Sequence, residues 1–136
     1  RQYCAPGIDL PVVNMMRSKP GTFPEYHTSL DDLDFVTPAG LNGGYKIHKD
    51  AINILENNHT YKCKTLGEPQ LGKRGLRPQL GQKDNMYKVK TLMNFLSYCD
   101  GDMTVLEIAD KIDESFFELE PVIKKLVDNN LLEKTN

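Results

Sequence analysis

The sequence has 136 residues, of which 39% are hydrophobic and 26% are charged, and its formal net charge is −2. This length suffices for one ordinary domain or two small ones. No apolar run approaches the roughly 20 residues that span a bilayer, and the near-neutral charge gives no reason to expect nucleic acid or an anionic membrane as a partner. The three cysteines, Cys4, Cys63 and Cys99, are widely spaced, which indicates reduced thiols in a cytoplasmic protein.

Apolar, largely β-branched residues are nearly continuous across residues 8–16, between Gly7 and the turn residues 18–21. A short run of this kind is typical of a strand buried on both faces of a mainly parallel sheet. In such sheets, ligands gather on the loops at the carboxyl ends of the strands. We therefore expect the next segment, residues 23–32, to be a loop of the kind that forms active sites.

This loop contains His27, and Asp31 and Asp32 follow it by four and five residues. A neutral imidazole is a good zinc ligand, and a nearby carboxylate can accept the other ring N–H and fix its tautomer. The same spacing also fits a loop histidine that bonds only to local backbone. By spacing alone, both interpretations remain open.

Thr37 and Pro38 predict the start of a helix, with threonine as the N-cap and proline at the first helical position. The helix is expected to end at residues 57–58. Apolar residues and one histidine recur on one face at three- and four-residue steps: Leu41, Tyr45, His48, Ile52 and Leu55. His48 is therefore expected to be a packed core histidine rather than a metal ligand.

Residues 60–66 alternate between apolar and lysine positions, which predicts a half-buried strand. Residues 67–82 are rich in glycine, proline and glutamine, and they include the basic residues Lys73, Arg74 and Arg77. They lack the glycine spacing of a phosphate-binding P-loop, so an irregular connection is the favoured interpretation.

From Asp84 onward the pattern predicts three helices and a short strand. The first helix is expected to stop near residues 100–101, and Thr104 with Glu107 has the form of a capping box that starts the second. Pro121 favours a third helix that begins close to it rather than at Ser115. Residues 131–133 then predict a wing strand, which completes a winged-helix pattern.

Charge in this last segment argues against DNA as a partner. Residues 84–136 contain eleven acidic and six basic residues, a net charge of −5. A helix-turn-helix reader needs lysine and arginine to neutralise phosphates. We therefore favour a packing role, or a homo-oligomer contact, for the winged helix.

Several motifs taken together resemble the last part of the zinc-dependent aminopeptidase domain. They are Tyr3, Gly7-Ile8, Pro11-Val12, and Tyr26-His27-Thr28 with Asp31. Residues 1–9 and 67–76 are similar to a bacterial aminopeptidase-like group that is linked to polysaccharide biosynthesis and ends in a winged helix. The resemblance covers nearly the whole chain, and it is to a C-terminal portion of that group.

The resemblance implies an α/β fold for residues 1–58, a connection at residues 59–83 and a small α+β winged helix at residues 84–136. It implies that His27 binds one of two zinc ions, and that Tyr26, Thr28 and Asp31 shape the loop around it. The other zinc ligands and the general base of the family lie upstream of this kind of sequence, so no catalytic residue is expected in this stretch. The substrate would be a peptide or a small amide.

The acidic residues after His27 then have two interpretations. The resemblance gives Asp31 a bracing role beside the histidine. The alternative is that the aspartates cap a short helical turn, which stabilises it by about 0.3–1 kcal/mol each. Capping is favoured for Asp32 and Asp34, and for Asp31 the two roles are equally supported.

Two other functional hypotheses remain. One is a non-catalytic binding or regulatory winged-helix protein with a degenerate α/β portion, and the other is a scaffold that has lost zinc. In any of these cases residues 1–58 are expected to be unstable alone, because a strand and a helix taken from a larger layer leave an uncovered apolar face.

Overall fold

The computed structural model describes residues 2–76 and 83–135, with the backbone alone described at residues 83–86. The described elements are α1 (Pro38–Asn57), β1 (Thr60–Cys63), a 3-10 turn (Leu71–Arg74), α2 (Lys83–Leu96), β2 (Asp100–Thr104), α3 (Val105–Ile112), α4 (Phe116–Asp128) and β3 (Leu132–Lys134). The chain divides into two compact units, Arg1–Asn53 and Ile54–Asn136. Part of the predicted connection, including Arg77, lies outside the described residues. No helix in the described ranges is long and apolar enough to cross a membrane.

The first unit contains most of α1 and begins that helix as predicted. The Thr37 hydroxyl accepts a hydrogen bond from the Gly40 amide at 3.1 Å, which satisfies one of the free N–H groups at the helix start. The helix ends at Asn57, also as predicted. None of residues 2–53 is buried. This unit therefore has a well-formed helix without a hydrophobic core of its own.

Two predictions for the first unit are wrong. Residues 8–16 are irregular and exposed rather than a buried strand, and Val13 keeps 82% of its surface accessible. A strand needs a neighbour for its backbone hydrogen bonds, and the described part of this unit offers none. His48 is exposed rather than packed in a core, with its Nδ1 atom 2.7 Å from the Gly44 carbonyl oxygen.

The second unit is built on a three-stranded antiparallel sheet in the order β2-β1-β3. Lys62 in the central strand pairs with Asp100 on one side and with Glu133 on the other. Tyr61 and Cys63 are half-buried and Lys62 is exposed, which confirms the predicted alternation of β1. Strand β3 also lies where a wing strand was predicted.

Strand β2 was not predicted. Its sequence, Asp-Gly-Asp-Met-Thr, is poor in strand-forming residues and rich in residues typical of turns. It becomes a strand because β1 pairs with it, which is a tertiary effect that local sequence does not encode.

The core of the second unit lies between the sheet and helices α2, α3 and α4. Its most enclosed side chains include Phe95, Leu119, Leu126 and Leu131, each with 0% of its surface exposed. Ile54, in the last turn of α1, packs against this core. At about 1.5–3 kcal/mol for each fully buried large apolar side chain, this cluster supplies the main stabilisation of the unit.

The two later helices begin in different ways. Thr104 and Glu107 form the predicted capping box at the start of α3. Helix α4 begins at Phe116, however, so the prediction of a start near Pro121 is wrong. Ser115 occupies the N-cap position of α4 without a side-chain hydrogen bond, and Pro121 lies inside the helix.

Candidate functional site

The loop predicted to be functional is held by an aromatic cluster. The ring of Phe23 stacks on that of Phe35, with centroids 5.6 Å apart, and makes a T-shaped contact with the ring of Tyr26, with centroids 5.7 Å apart. Contacts of this type contribute about 0.5–1.5 kcal/mol beyond the area they bury. Side chains therefore join the start of the loop to Phe35, just beyond its end, even though the loop has no regular secondary structure.

Thr28 organises the turn that follows His27. Its hydroxyl donates to the Glu25 carbonyl at 2.9 Å and accepts from the Leu30 amide at 3.2 Å. Its carbonyl accepts from the Asp31 amide at 3.2 Å. Thr28 thus shapes the backbone on both sides of itself, which fits the loop-shaping role that the resemblance implies.

His27 is exposed, and its backbone lies in the left-handed region with φ of 58°. That region is uncommon outside glycine, although histidine enters it more readily than most residues. The rings of His27 and Tyr26 meet in a T-shaped arrangement, with a centroid separation of 4.2 Å. The structure therefore presents the imidazole at the surface of the loop, beside an aromatic ring that restricts its position.

The aspartates after His27 differ from one another. One carboxylate oxygen of Asp32 accepts from the amides of Asp34 and Phe35, at 2.9 and 3.2 Å. This is the capping role that was favoured for Asp32. Asp31 is exposed, and its amide is part of the Thr28 turn. Both of its possible roles remain predictions.

A complete metal site is not found in the described part of the chain. No group of three or more histidine, cysteine, aspartate or glutamate side chains lies close enough together there to hold a metal ion. A catalytic zinc needs about three protein ligands and an open position. The described residues therefore do not assemble a catalytic zinc site by themselves, and a ligand role for His27 stays a prediction.

The second unit carries a hydrogen-bonded network that the sequence did not reveal. The Tyr87 hydroxyl donates to one Glu114 oxygen at 2.5 Å, and the Thr91 hydroxyl donates to the other at 2.9 Å. The hydrogen bond to Glu114 raises the pKa of Tyr87 above its usual value. These residues are far apart in sequence, so no local pattern links them. The network ties α2 to the turn between α3 and α4.

A groove with a volume of about 260 Å³ lies beside this network, between α2 and α4. Its lining is partly apolar and partly charged: Leu76, Leu92 and Val122 with Lys88, Glu118 and Lys125. The mixed signs of charge at this groove do not favour one class of charged ligand.

The exposed side of α4 would face DNA in a helix-turn-helix complex. Its basic residues are Lys124 and Lys125, and Lys124 forms a 3.4 Å ion pair with Asp128. Glu118 is also exposed on this helix. The acids thus offset the lysines, and this face has no excess of positive charge to attract phosphate.

Comparisons with known proteins divide the chain in two. Residues 59–134 match a winged helix-turn-helix family, and residues 1–58 match a domain family of unknown function. A Clostridium acetobutylicum protein, described as a candidate polysaccharide biosynthesis protein with an aminopeptidase-like domain, is 40% identical over 122 residues, which is 85% of this chain and 27% of the relative. A crystal structure of a candidate peptidase from C. acetobutylicum superimposes with a TM-score of 0.84 at 34% identity, covering 98% of this chain and 29% of that one.

These similarities confirm the resemblance seen in the sequence, including its winged helix-turn-helix portion. The chain spans little more than a quarter of the length of either protein that it matches. Because the winged helix-turn-helix match covers more than half of the sequence, the chain belongs to the winged helix-turn-helix family.

Proposed function

We propose that this chain is part of a zinc-dependent aminopeptidase-like hydrolase in which His27 supplies one zinc ligand. The observation that carries the proposal is the presentation of His27 on a shaped loop. Its imidazole is exposed and lies against Tyr26, and its backbone adopts a conformation uncommon for residues with a side chain. Unusual backbone conformations cluster at functional sites, where surrounding contacts maintain them. The two relatives, described as aminopeptidase-like and as a candidate peptidase, support a hydrolase in general.

The remaining zinc ligands and the general base would come from a longer chain, since the described residues form no group of three or more possible ligands. When bound, zinc lowers the pKa of a water molecule and polarises the carbonyl that the water attacks. The part played by this chain is to hold one imidazole nitrogen toward the metal. Thr28 fixes the turn, Tyr26 restricts the ring, and Asp31 braces the loop.

The proposed substrate is a peptide or a small amide, and the proposed location is the bacterial cytoplasm. All three cysteines are free thiols in the structure, which agrees with a reducing compartment. The winged helix would serve in packing or in oligomer contacts, because the exposed side of α4 has no excess of positive charge.

Metal content tests the proposal. We suggest a chimera in which this chain replaces the matched segment of the C. acetobutylicum relative, analysed by plasma mass spectrometry after dialysis. The chimera should retain about two zinc ions per chain, as in two-metal hydrolases, and His27→Ala should lose at least one. His48→Ala is the matched control, because His48 is also exposed in the first unit. A His27→Ala chimera that keeps all its zinc would exclude His27 as a ligand.

A binding or regulatory winged-helix protein is the second candidate function. The groove between α2 and α4 favours it, whereas the charge of α4 argues against duplex DNA as the ligand. Fluorescence anisotropy with a labelled duplex at low salt separates the possibilities. We expect no binding in the range of about 10⁻⁴ to 10⁻⁶ M that is typical of non-specific DNA binding. Binding in that range would favour the regulatory function.

A further inference from the structure

The groove between α2 and α4 combines a buried apolar lining with exposed charges. Leu76 and Leu92 are 3% and 4% exposed, and they form its most enclosed part. Lys88, Glu118 and Lys125 also line it, and all three are exposed. Sites that bind small molecules are typically built in this way, with an apolar lining and a few polar groups that fix the orientation of the ligand.

The charges on α4 have a defined order along the groove. Glu118, Val122 and Lys125 all line it and follow one another at steps of four and three residues, so they share one face of the helix. Because a helix rises 1.5 Å per residue, the backbone positions of Glu118 and Lys125 lie about 10 Å apart along the axis. The groove therefore has an acidic position and a basic position with an apolar residue between them.

The acidic position has a second carboxylate nearby. Tyr87 lines the groove, and its pKa is raised mainly by its hydrogen bond to Glu114, with a smaller contribution from the charge of Glu118. Both carboxylates therefore lie near the Tyr87 ring. Two negative charges at this position favour a positively charged group of a ligand.

The charged groups of the lining are available to a ligand. In the described part of the chain the recorded ion pair joins Lys124 to Asp128, and Lys88, Glu118 and Lys125 form none. A ligand that is only anionic would be attracted by the lysines and repelled by Glu118, and a ligand that is only cationic would meet the opposite conflict. A ligand with one charge of each sign matches the lining.

We propose that the groove between α2 and α4 binds a short peptide whose two ends are both free. The ammonium group of the peptide meets Glu118, its carboxylate meets Lys125, and an apolar side chain between them packs on Leu92. An extended chain spans about 3.3–3.6 Å per residue, so three residues match the spacing of about 10 Å between the two positions. Lys88 gives the lining a second positive charge that favours the carboxylate.

The size of the groove favours this ligand over a longer one. Its volume of about 260 Å³ lies below the range of about 300–1,000 Å³ that is typical of pockets for drug-sized molecules. An internal segment of a protein chain has no free ammonium or carboxylate group, so it would leave Glu118 and Lys125 without partners. A peptide of about three residues fits both the volume and the charges.

This inference goes beyond the proposed hydrolase. The groove belongs to the second unit, whereas His27 belongs to the first. Hydrolysis of a peptide bond creates a free carboxylate and a free ammonium group, so the ligand has the chemistry of a peptide hydrolysis product. A peptide in the groove contacts α2 and α4 together and stabilises their arrangement by mass action. The winged helix would thus sense short peptides.

Titration of the full 136-residue chain with the tripeptide Ala-Leu-Ala tests the groove. Backbone amide shifts would be recorded by NMR with EDTA present, so that bound metal plays no part. We expect a dissociation constant on the order of 0.1 mM for a ligand of this size, and the largest shifts in α2 and α4. Blocking either end, by N-acetylation or C-amidation, should weaken binding about three- to tenfold. Ala-Gly-Ala should bind about tenfold more weakly, because it lacks the apolar side chain.

Variants assign each end of the peptide. Glu118→Gln should weaken binding of the free tripeptide but not of the N-acetylated one, because the same contact is already lost. Lys125→Met should show the same relationship with the C-amidated tripeptide. Lys124→Met is the matched control, since Lys124 is adjacent but does not line the groove. It should leave binding within about twofold of wild type.

The measurements on the wild-type chain decide the proposal even if a variant misfolds. Equal binding of the free and the doubly blocked tripeptide, shifts confined to residues 2–53, or no shifts at about 10 mM peptide, a hundredfold above the expected constant, would each overturn it. The zinc proposal is tested separately. Peptide binding by this chain, together with a chimera that holds no zinc, would support the groove and oppose the hydrolase. A zinc-containing chimera whose matched chain ignores the tripeptide would oppose the groove alone.

Discussion

Thr104 and Glu107 bond to each other reciprocally at the start of α3. The Thr104 hydroxyl accepts from the Glu107 amide at 3.4 Å, and the Glu107 carboxylate accepts from the Thr104 amide at 2.7 Å. A second contact, from the Thr104 hydroxyl to the same carboxylate, measures 2.8 Å. The pair satisfies two N–H groups that would otherwise lack partners, and it fixes where β2 ends and α3 begins.

Replacing Thr104 with alanine should therefore destabilise the second unit. We expect a loss of about 0.5–2 kcal/mol in the free energy of unfolding, toward the lower end because the hydroxyl bond to the Glu107 amide is long. Urea denaturation followed by circular dichroism would measure it. Thr104→Ser retains the hydroxyl and should lose less than half as much. Equal losses in both variants would show that the cap does not provide this stability.

The same pair gives a pH dependence with a defined sign. Hydrogen bonds from the Thr104 amide and hydroxyl lower the pKa of Glu107 below its ordinary value of 4.5. A carboxylate with a lowered folded-state pKa stabilises the fold above the unfolded-state pKa, and this stabilisation is lost as pH falls through the folded-state value. Wild type should thus exceed Glu107→Gln in stability at pH 6–7, and the difference should shrink below about pH 4.5. A difference that is constant from pH 7 to pH 3 would contradict this assignment.

Local signals explain why much of the second unit could be predicted from sequence. The alternation across β1 and the capping box at Thr104 depend on residues within a few positions of one another. The strand β2 and the Glu114 network could not be predicted, because each forms through partners that are distant in sequence. Asp100 pairs with Lys62 and Glu114 bonds to Tyr87, and neither contact leaves a periodic pattern in the chain.

Pro121 shows a different reason for a wrong prediction. Proline inside a helix removes one backbone hydrogen bond, and its ring clashes with the carbonyl group four residues earlier. Here that carbonyl belongs to Phe117. Because of these two costs, the sequence favoured a start of α4 near Pro121 rather than at Ser115. Phe116 and Leu119 are buried, however, with 5% and 0% of their surfaces exposed. The burial of these residues in the first turn of α4 offsets the cost of the proline.

Pro121→Ala should consequently stabilise the second unit. Proline costs about 3 kcal/mol relative to alanine inside a helix, and the greater freedom of alanine in the unfolded chain offsets part of that gain, so we expect about 2 kcal/mol. Thermal unfolding followed by circular dichroism at 222 nm would detect the increase. Pro121→Gly should gain about 1 kcal/mol less than alanine. A lower melting temperature for Pro121→Ala would mean that the proline makes favourable contacts that alanine cannot replace.

The first unit illustrates the limit of sequence patterns in a chain that matches part of larger proteins. The apolar run around Val13 was predicted to be a buried strand, and His48 on the apolar face of α1 was predicted to be packed in a core, and both are exposed. Hydrophobic periodicity shows which side chains need a covering surface, but it does not show where that surface comes from. The helix itself was predicted correctly because its cap, Thr37, and its first-turn proline, Pro38, act locally.

Adjacent residues on α4 allow a matched test of the core. Leu126 is 0% exposed and Val127 is 43% exposed. Leu126→Ala should lower the free energy of unfolding by about 2–5 kcal/mol, through lost burial and the cavity that remains. Val127→Ala should change it by about 0.5 kcal/mol or less. Both values come from the same urea titration, and similar losses for the two variants would contradict the helix orientation.

The three cysteines should react at clearly different rates. Cys4 is exposed, Cys63 is half-buried and Cys99 is buried. Burial, together with the nearby Cys63 and Asp100, raises the pKa of Cys99 to about 12. Because the thiolate is the reactive form, Cys99 should be almost unreactive at pH 8. Pulsed alkylation with iodoacetamide and peptide mass spectrometry should show Cys4 modified first and Cys63 second. Cys99 should be modified only when urea unfolds the second unit.

Cys99→Ala provides the control, since it should remove the slowly alkylated site without changing the rate at which Cys4 is alkylated. Rapid alkylation of Cys99 in the folded protein would mean that the segment between α2 and β2 opens far more often than a buried core position should.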